Sequence, residues 1–180
     1  MRKLTLVLFA ASMFFACGQQ EQAPPPPPPV EEPAGPVTVN ADEKYVAICK
    51  DGLAAMSSGD MERFVSDFTD NVVYQFAYGD SLVGKTAVLE YWKDRRENAI
   101  EDINFSNSVW LSVTVDASNN YNVAPGDWVM GWFLTTASYK ATGKSMTQNI
   151  HTLYHFNGSG KVDRVIQYLD RAAIMQASSQ

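Results

Sequence analysis

Two periods divide the chain. After Asn40 the apolar positions Tyr45, Ile48, Cys49, Leu53 and Met56 recur at the spacing of one helix face, and Ser57-Ser58-Gly59 ends the run. Asn40, with Glu43 three residues on, fits a capping box at its start. Asp60 is placed to cap a short second helix buried through Met61, Phe64, Val65 and Phe68. Asn71 to Phe76 reads as a strand, Tyr78-Gly79-Asp80 as a turn, and Ser81 to Gly84 as a brief return. Lys85 to Glu97 reads as a third helix, apolar at Val88, Leu89 and Trp92, with Lys93, Arg95, Arg96 and Glu97 forming a solvated face. Ile103 to Val115 follows as a long strand with Phe105, Val109, Leu111, Val113 and Val115 in part alternation, and Asp116 to Pro125 is a polar loop.

The period then changes to two. Asp127 to Ala141 and Ser145 to Asn157 are rich in β-branched and aromatic residues, joined through Thr142-Gly143, and Asn157-Gly158-Ser159-Gly160 marks a second turn before Val162 to Asp170. Closing both turns tightly pairs Lys140 with Ser145 and Phe156 with Lys161 and sorts the meander onto two faces. One carries Val129, Gly131, Phe133, Ile150, Thr152, Tyr154, Phe156, Val165, Gln167 and Leu169. The other carries Trp128, Met130, Trp132, Leu134, His151, Leu153, His155, Val162, Arg164, Ile166, Tyr168 and Asp170. Both are apolar over much of their length, so each needs a cover.

The N-terminal segment obeys neither period. Arg2 and Lys3 precede the apolar run Leu4 to Phe15, too short to span a bilayer, and Ala16-Cys17 closes it. This resembles the bacterial lipoprotein signal, which implies a signal peptide over 1–16, lipidation of Cys17 and anchoring to a membrane. Residues 17–40 then form a tether holding eight of the nine prolines, with Pro24 to Pro29 unbroken. The expected domain is 41–177, with 178–180 as a tail. Cys49 is the only cysteine left beside Cys17, so stability rests on packing, and on the apolar stripe it reads as a small buried hydrophobe. A net charge of −6 without a basic cluster argues against nucleic acid as partner.

The order helix, helix, strand, short return, helix, four long strands resembles the SnoaL-like branch of the nuclear transport factor 2-like superfamily. Five local phrases carry the resemblance: Ser58-Gly59-Asp60, Asp70-Asn71-Val72-Val73-Tyr74, Gly84-Lys85, Gly160-Lys161-Val162 and Tyr168-Leu169-Asp170. It implies an α+β fold of the cystatin-like α+β barrel type: a curved antiparallel sheet and N-terminal helices forming a cone, with a pocket at the mouth and homodimerisation through the outer sheet face. Enzymes of this superfamily act on small hydrophobic molecules by general acid/base catalysis from inside the cone. The final-strand carboxylate of its epoxide hydrolases aligns with Gln167, and an amide cannot take a proton.

The candidate ligand-binding residues are therefore Tyr74, Thr152, Tyr154 and Gln167. Asp170, at the end of the last strand, is the candidate base, with an N-cap or ion pair as its structural alternative. His151 is a weaker candidate. It shares a face with His155 about 13 Å away, too far for one metal, and that face is opposite Gln167. No cofactor or metal is expected. The sequence reads as a lipid-anchored protein of the bacterial cell envelope, periplasmic or surface-facing, whose cone binds a small, mostly apolar molecule. The alternatives are a cofactor-independent isomerase, dehydratase or hydrolase, and a non-catalytic interaction module of an envelope complex.

Overall fold

The computed structural model describes residues 35, 37–39, 43–118 and 123–179. The signal, Cys17 and nearly all of the tether lie outside the described residues, as does Asn40. The order is β1 (Val37–Val39), α1 (Lys44–Ser58), α2 (Met61–Phe64), β2 (Phe68–Phe76), β3 (Ser81–Val83), α3 (Lys85–Asp94), a π-helical turn (Arg95–Ala99), β4 (Ile100–Val115), β5 (Gly126–Tyr139), β6 (Ser145–Phe156), β7 (Val162–Tyr168) and α4 (Arg171–Ser178). Seven strands form one sheet in the order β1-β4-β5-β6-β7-β2-β3. Every pairing is antiparallel except β2 with β7, which is parallel. The fold is α+β: a curved, open sheet with helices against one face.

The helices form where their apolar stripes meet that face. α1 buries Val46, Cys49, Leu53, Ala55 and Met56. It stops at Gly59, whose φ of 83° lets its own N–H return to Met56 and that of Asp60 to Ala55, a conformation that costs residues with a Cβ more. Arg96 reaches back to the Ser57 carbonyl at 3.4 Å. Among the described residues Glu43 occupies the cap position of α1, without a side-chain hydrogen bond. Asp60 does cap α2, accepting from the Arg63 N–H at 3.0 Å. α2 is a single turn, and Phe68 opens β2 rather than extending the helix.

The meander keeps its faces although both turns are wider than expected. Ser138, not Lys140, pairs with Ser145, and Thr152 pairs with Gln167. Each register differs from the tight-turn pairing by two residues, and a shift of two leaves every side chain on its own face. Val129, Phe133, Ile150, Thr152, Tyr154, Phe156, Val165 and Gln167 are all buried under the helices. Val162 is the exception. A bulge at Asp163 turns it inward beside Phe156, where it is 1% exposed.

A second bulge corrects the reading of β4. The pairing shifts between Ser106 and Val109, and Asn107 adopts a φ of 49°. Ile103 and Phe105 therefore pack inside, whereas Val109, Leu111, Val113 and Val115 face out, although all six are odd-numbered. Two elements fall where none was expected. β1 lies in the predicted tether and pairs with the end of β4, and α4 follows Asp170.

Candidate functional site

The inner face of the sheet is largely filled by aromatic side chains. Tyr74 packs against Phe76 and Trp92 at centroid distances of 5.1 and 6.2 Å, and Phe133 against Phe105 and Trp110 at 5.4 and 5.9 Å. Gly131 makes room for Trp110: a Cβ on it would stand 2.5 Å from the indole. Between α1, α2 and β6, beside Cys49 and Tyr154, only a void of about 10 Å³ remains.

Space opens where α3 and α4 meet the ends of β2 and β7. There a cavity of about 350 Å³ is lined by Phe76, Tyr91, Trp92, Arg95, Gln167, Leu169, Arg171, Ile174, Met175 and Ser178. That volume suits a small organic molecule. Its walls are mainly apolar, but two polar atoms on them are buried without a hydrogen-bond partner among the described residues: Gln167 Oε1 and Trp92 Nε1. Both side chains are more than nine-tenths buried. The hydroxyls of Thr152, which pairs with Gln167, and of Thr135 are buried in the same condition. Such atoms are costly to leave unsatisfied, and of the four residues only Gln167 and Trp92 line the cavity.

Arg95 enters the cavity wall through the π-helical turn. The Ile100 N–H returns to the Arg95 carbonyl, one residue beyond the α-helical partner, and Lys140 pins the turn by donating to the carbonyls of Arg96 and Glu97 at 3.0 and 2.8 Å. The expected solvated face is therefore interrupted: Arg95 and Arg96 are half-buried. The Arg95 guanidinium lies 5.7 Å from the Tyr91 ring centroid. Arg171, at the other rim, is committed to Asp80 at 2.6 Å.

Of the four residues expected to bind ligand, only Gln167 lines this cavity. Thr152 is its buried neighbour, Tyr74 belongs to the aromatic core, and Tyr154 borders the small void. Burial pushes the Tyr74 phenol up, with Tyr91 adding to it. It does the same for Tyr154, where Cys49 and Tyr74 contribute, so both stay protonated hydrogen-bond donors. Asp170 is exposed and caps α4, accepting from the Ala172 N–H at 2.8 Å, while its own N–H donates to Gln148 Oε1. It is not part of the cavity wall.

His151 is on the outer face, with Nδ1 3.1 Å from the Gly131 carbonyl and its ring stacked between Trp132 and Tyr168 at 4.6 and 6.1 Å. His155, 8% exposed on that same face, bridges the Asp163 carboxylate at 2.5 Å and the Pro125 carbonyl at 2.9 Å, tying the start of β5 to β7. Among the described residues no three His, Cys, Asp or Glu side chains are grouped so as to hold a metal. Trp92, Arg95 and the α4 residues were not singled out in the sequence. The signal for α4 was present in Asp170 followed by Arg171-Ala172-Ala173-Ile174-Met175-Gln176, a capping residue before good helix formers.

The SnoaL-like domain model matches residues 50–165. The chain belongs to the SnoaL-like domain family. Among solved structures, this SnoaL-like chain is similar to a candidate isomerase from Bacillus subtilis, with a TM-score of 0.60 and 20% identity over 75% of this chain and 92% of that one. It is similar to a candidate polyketide cyclase from Xanthomonas campestris, with a TM-score of 0.60 and 12% identity over 76% and 98%. A protein of ketosteroid isomerase-like fold from Catenulispora acidiphila, in complex with trimethylamine, superposes with a TM-score of 0.55 and 13% identity over 73% and 91%. At these identities the likeness is one of fold. No curated protein matches the chain.

Proposed function

We propose that this SnoaL-like domain binds a small, mostly apolar molecule in the cavity between α3, α4 and the sheet. The observation that carries this reading is a cavity of about 350 Å³ with mainly apolar and aromatic walls, two of whose lining residues, Gln167 and Trp92, each hold a buried polar atom without a partner among the described residues. Binding is favoured over acid/base catalysis by the character of the interior. Among the described residues no Asp or Glu is buried, and the interior tyrosines have their phenols pushed up and away from use as bases. We further propose that the domain is carried on a membrane through lipid at Cys17, in a bacterial cell envelope, and pairs with a second copy through the outer sheet face. The resemblance of residues 1–17 to a lipoprotein signal supports the first. Partly exposed Trp132, Tyr168, Val109 and Leu111 on the outer face support the second.

The test is native mass spectrometry of the full chain, extracted in detergent from its own host. A small organic molecule bound in fixed stoichiometry, and lost when Gln167→Leu and Trp92→Phe are combined, is the expected result. A ligand retained by that double variant would place binding elsewhere and overturn the assignment of this cavity.

A further inference from the structure

The charge on the cavity wall names a ligand class. Ten residues line it, of which two are arginines and none is Asp or Glu. The two arginines are not equivalent. Arg171 already holds Asp80 at 2.6 Å, at the exposed rim. Arg95 has no carboxylate partner among the described residues, and its guanidinium is held over the Tyr91 ring, 5.7 Å from the centroid. A cation against an aromatic face in a half-buried wall is oriented but not neutralised. Trp92 and Gln167 line the same cavity, the one holding a buried N–H and the other a buried amide oxygen, each without a partner among the described residues. A hydroxyl both accepts and donates, and so can answer both.

Resting on the small-molecule reading above, we infer that the cavity selects an amphipathic monocarboxylic acid bearing a hydroxyl group. Its carboxylate pairs with Arg95, its apolar part packs on Phe76, Leu169, Ile174 and Met175, and its hydroxyl reaches toward Trp92 and Gln167. A single planar guanidinium matches a carboxylate in two parallel hydrogen bonds, and the other arginine on the wall, Arg171, is already paired with Asp80 and so favours no more highly charged group.

The experiment is isothermal titration of the full chain with 3-hydroxydecanoate and with its methyl ester, which has the same shape and hydroxyl but no charge. The acid is expected to bind at least about tenfold tighter than the ester, with the difference shrinking as salt is added. Arg95→Gln is expected to abolish the preference by weakening the acid while the ester's affinity holds within about twofold, which also reports that the site is still folded. Arg95→Lys is expected to keep part of it. Lys93→Gln removes the same charge from the same helix, where Lys93 pairs with exposed Glu62, and is expected to keep all of it. Equal binding of acid and ester, or a preference that survives Arg95→Gln, overturns the carboxylate inference and leaves the small-molecule reading standing. Failure of both probes to bind overturns the inference together with this assignment of the cavity.

Discussion

Replacing Gln167 by Leu separates what this residue contributes to stability from what it contributes to binding. Its side chain is 7% exposed, and its Oε1 has no partner among the described residues. Leaving a buried acceptor unsatisfied costs about 1–3 kcal/mol, and replacing the amide by an apolar group of similar shape recovers that cost. The expected gain for Gln167→Leu is about 1–2 kcal/mol, below the full cost because leucine does not fill the space of the amide completely. For a domain of this size that corresponds to a rise in melting temperature of roughly 3–6 °C. The assay is urea unfolding followed by tryptophan fluorescence, analysed at constant slope so that a change in midpoint reports a change in stability. A stabilised variant that no longer holds its ligand would show that the amide is retained for binding at the expense of the fold. A loss of more than about 1 kcal/mol would refute the reasoning, because it would mean that Gln167 is well partnered in the folded protein.

Four further outcomes follow from the same structure. Gly131→Ala should cost about 1–3 kcal/mol, because the added Cβ would meet the Trp110 indole at 2.5 Å; a double-mutant cycle with Trp110→Leu should recover much of it, and additive effects would discount the contact. Asp170→Ala should cost about 1 kcal/mol and speed amide exchange in Arg171–Ser178, whereas Asp170→Asn keeps a capping oxygen and should change both only slightly. Burial pushes the Cys49 thiol well up, so the thiolate is scarce: peptide mapping should find Cys49 unlabelled by iodoacetamide at pH 8 in the folded protein and labelled in urea, and labelling without urea would contradict its burial. The Asp51 carboxyl is held below its usual range by its hydrogen bonds from Arg63. Its contribution is therefore present above the unfolded-state pKa and lost as pH falls through the lower, folded one, so Asp51→Asn should lower stability slightly at neutral pH, flatten the acid limb of the profile and converge with the wild type at the lowest pH.

The meander was legible in the sequence because side-chain parity survives an even error. Both turns are wider than the tight pairing predicts, yet each register moved by two, and Gln167 stayed inside while His151 stayed outside. An odd insertion is what the pattern hides. The bulges at Asn107-Ser108 and at Asp163 each add one residue to one strand, which moves Val109 and its successors outward and Val162 inward. Nothing in the alternation of apolar residues marks such a step, because both faces of this sheet are apolar. The site was less legible than the fold for a related reason. Read with a period of 3.6, Trp92 and Arg95 are neighbours on the helix surface, but the charge of Arg95 assigns it to the solvated face with Lys93, Arg96 and Glu97. The π-helical turn beginning at Arg95 changes that period, and α4 supplies the cavity's remaining wall.

The parallel pairing of β2 with β7 bears on how the chain reaches this structure. Phe68 pairs with Val162 and Phe76 with Gln167, so the seam joining the two ends of the domain closes a loop of more than ninety residues. Ordering so long a loop is entropically unfavourable until both strands are available, and contacts of this range slow folding. During synthesis from the N-terminus, β2 has only the short β3 beside it in the sheet until the last strand arrives to pair with its other edge. For the export we propose, that delay leaves the seam between β2 and β7 unformed until the final strand has crossed the membrane.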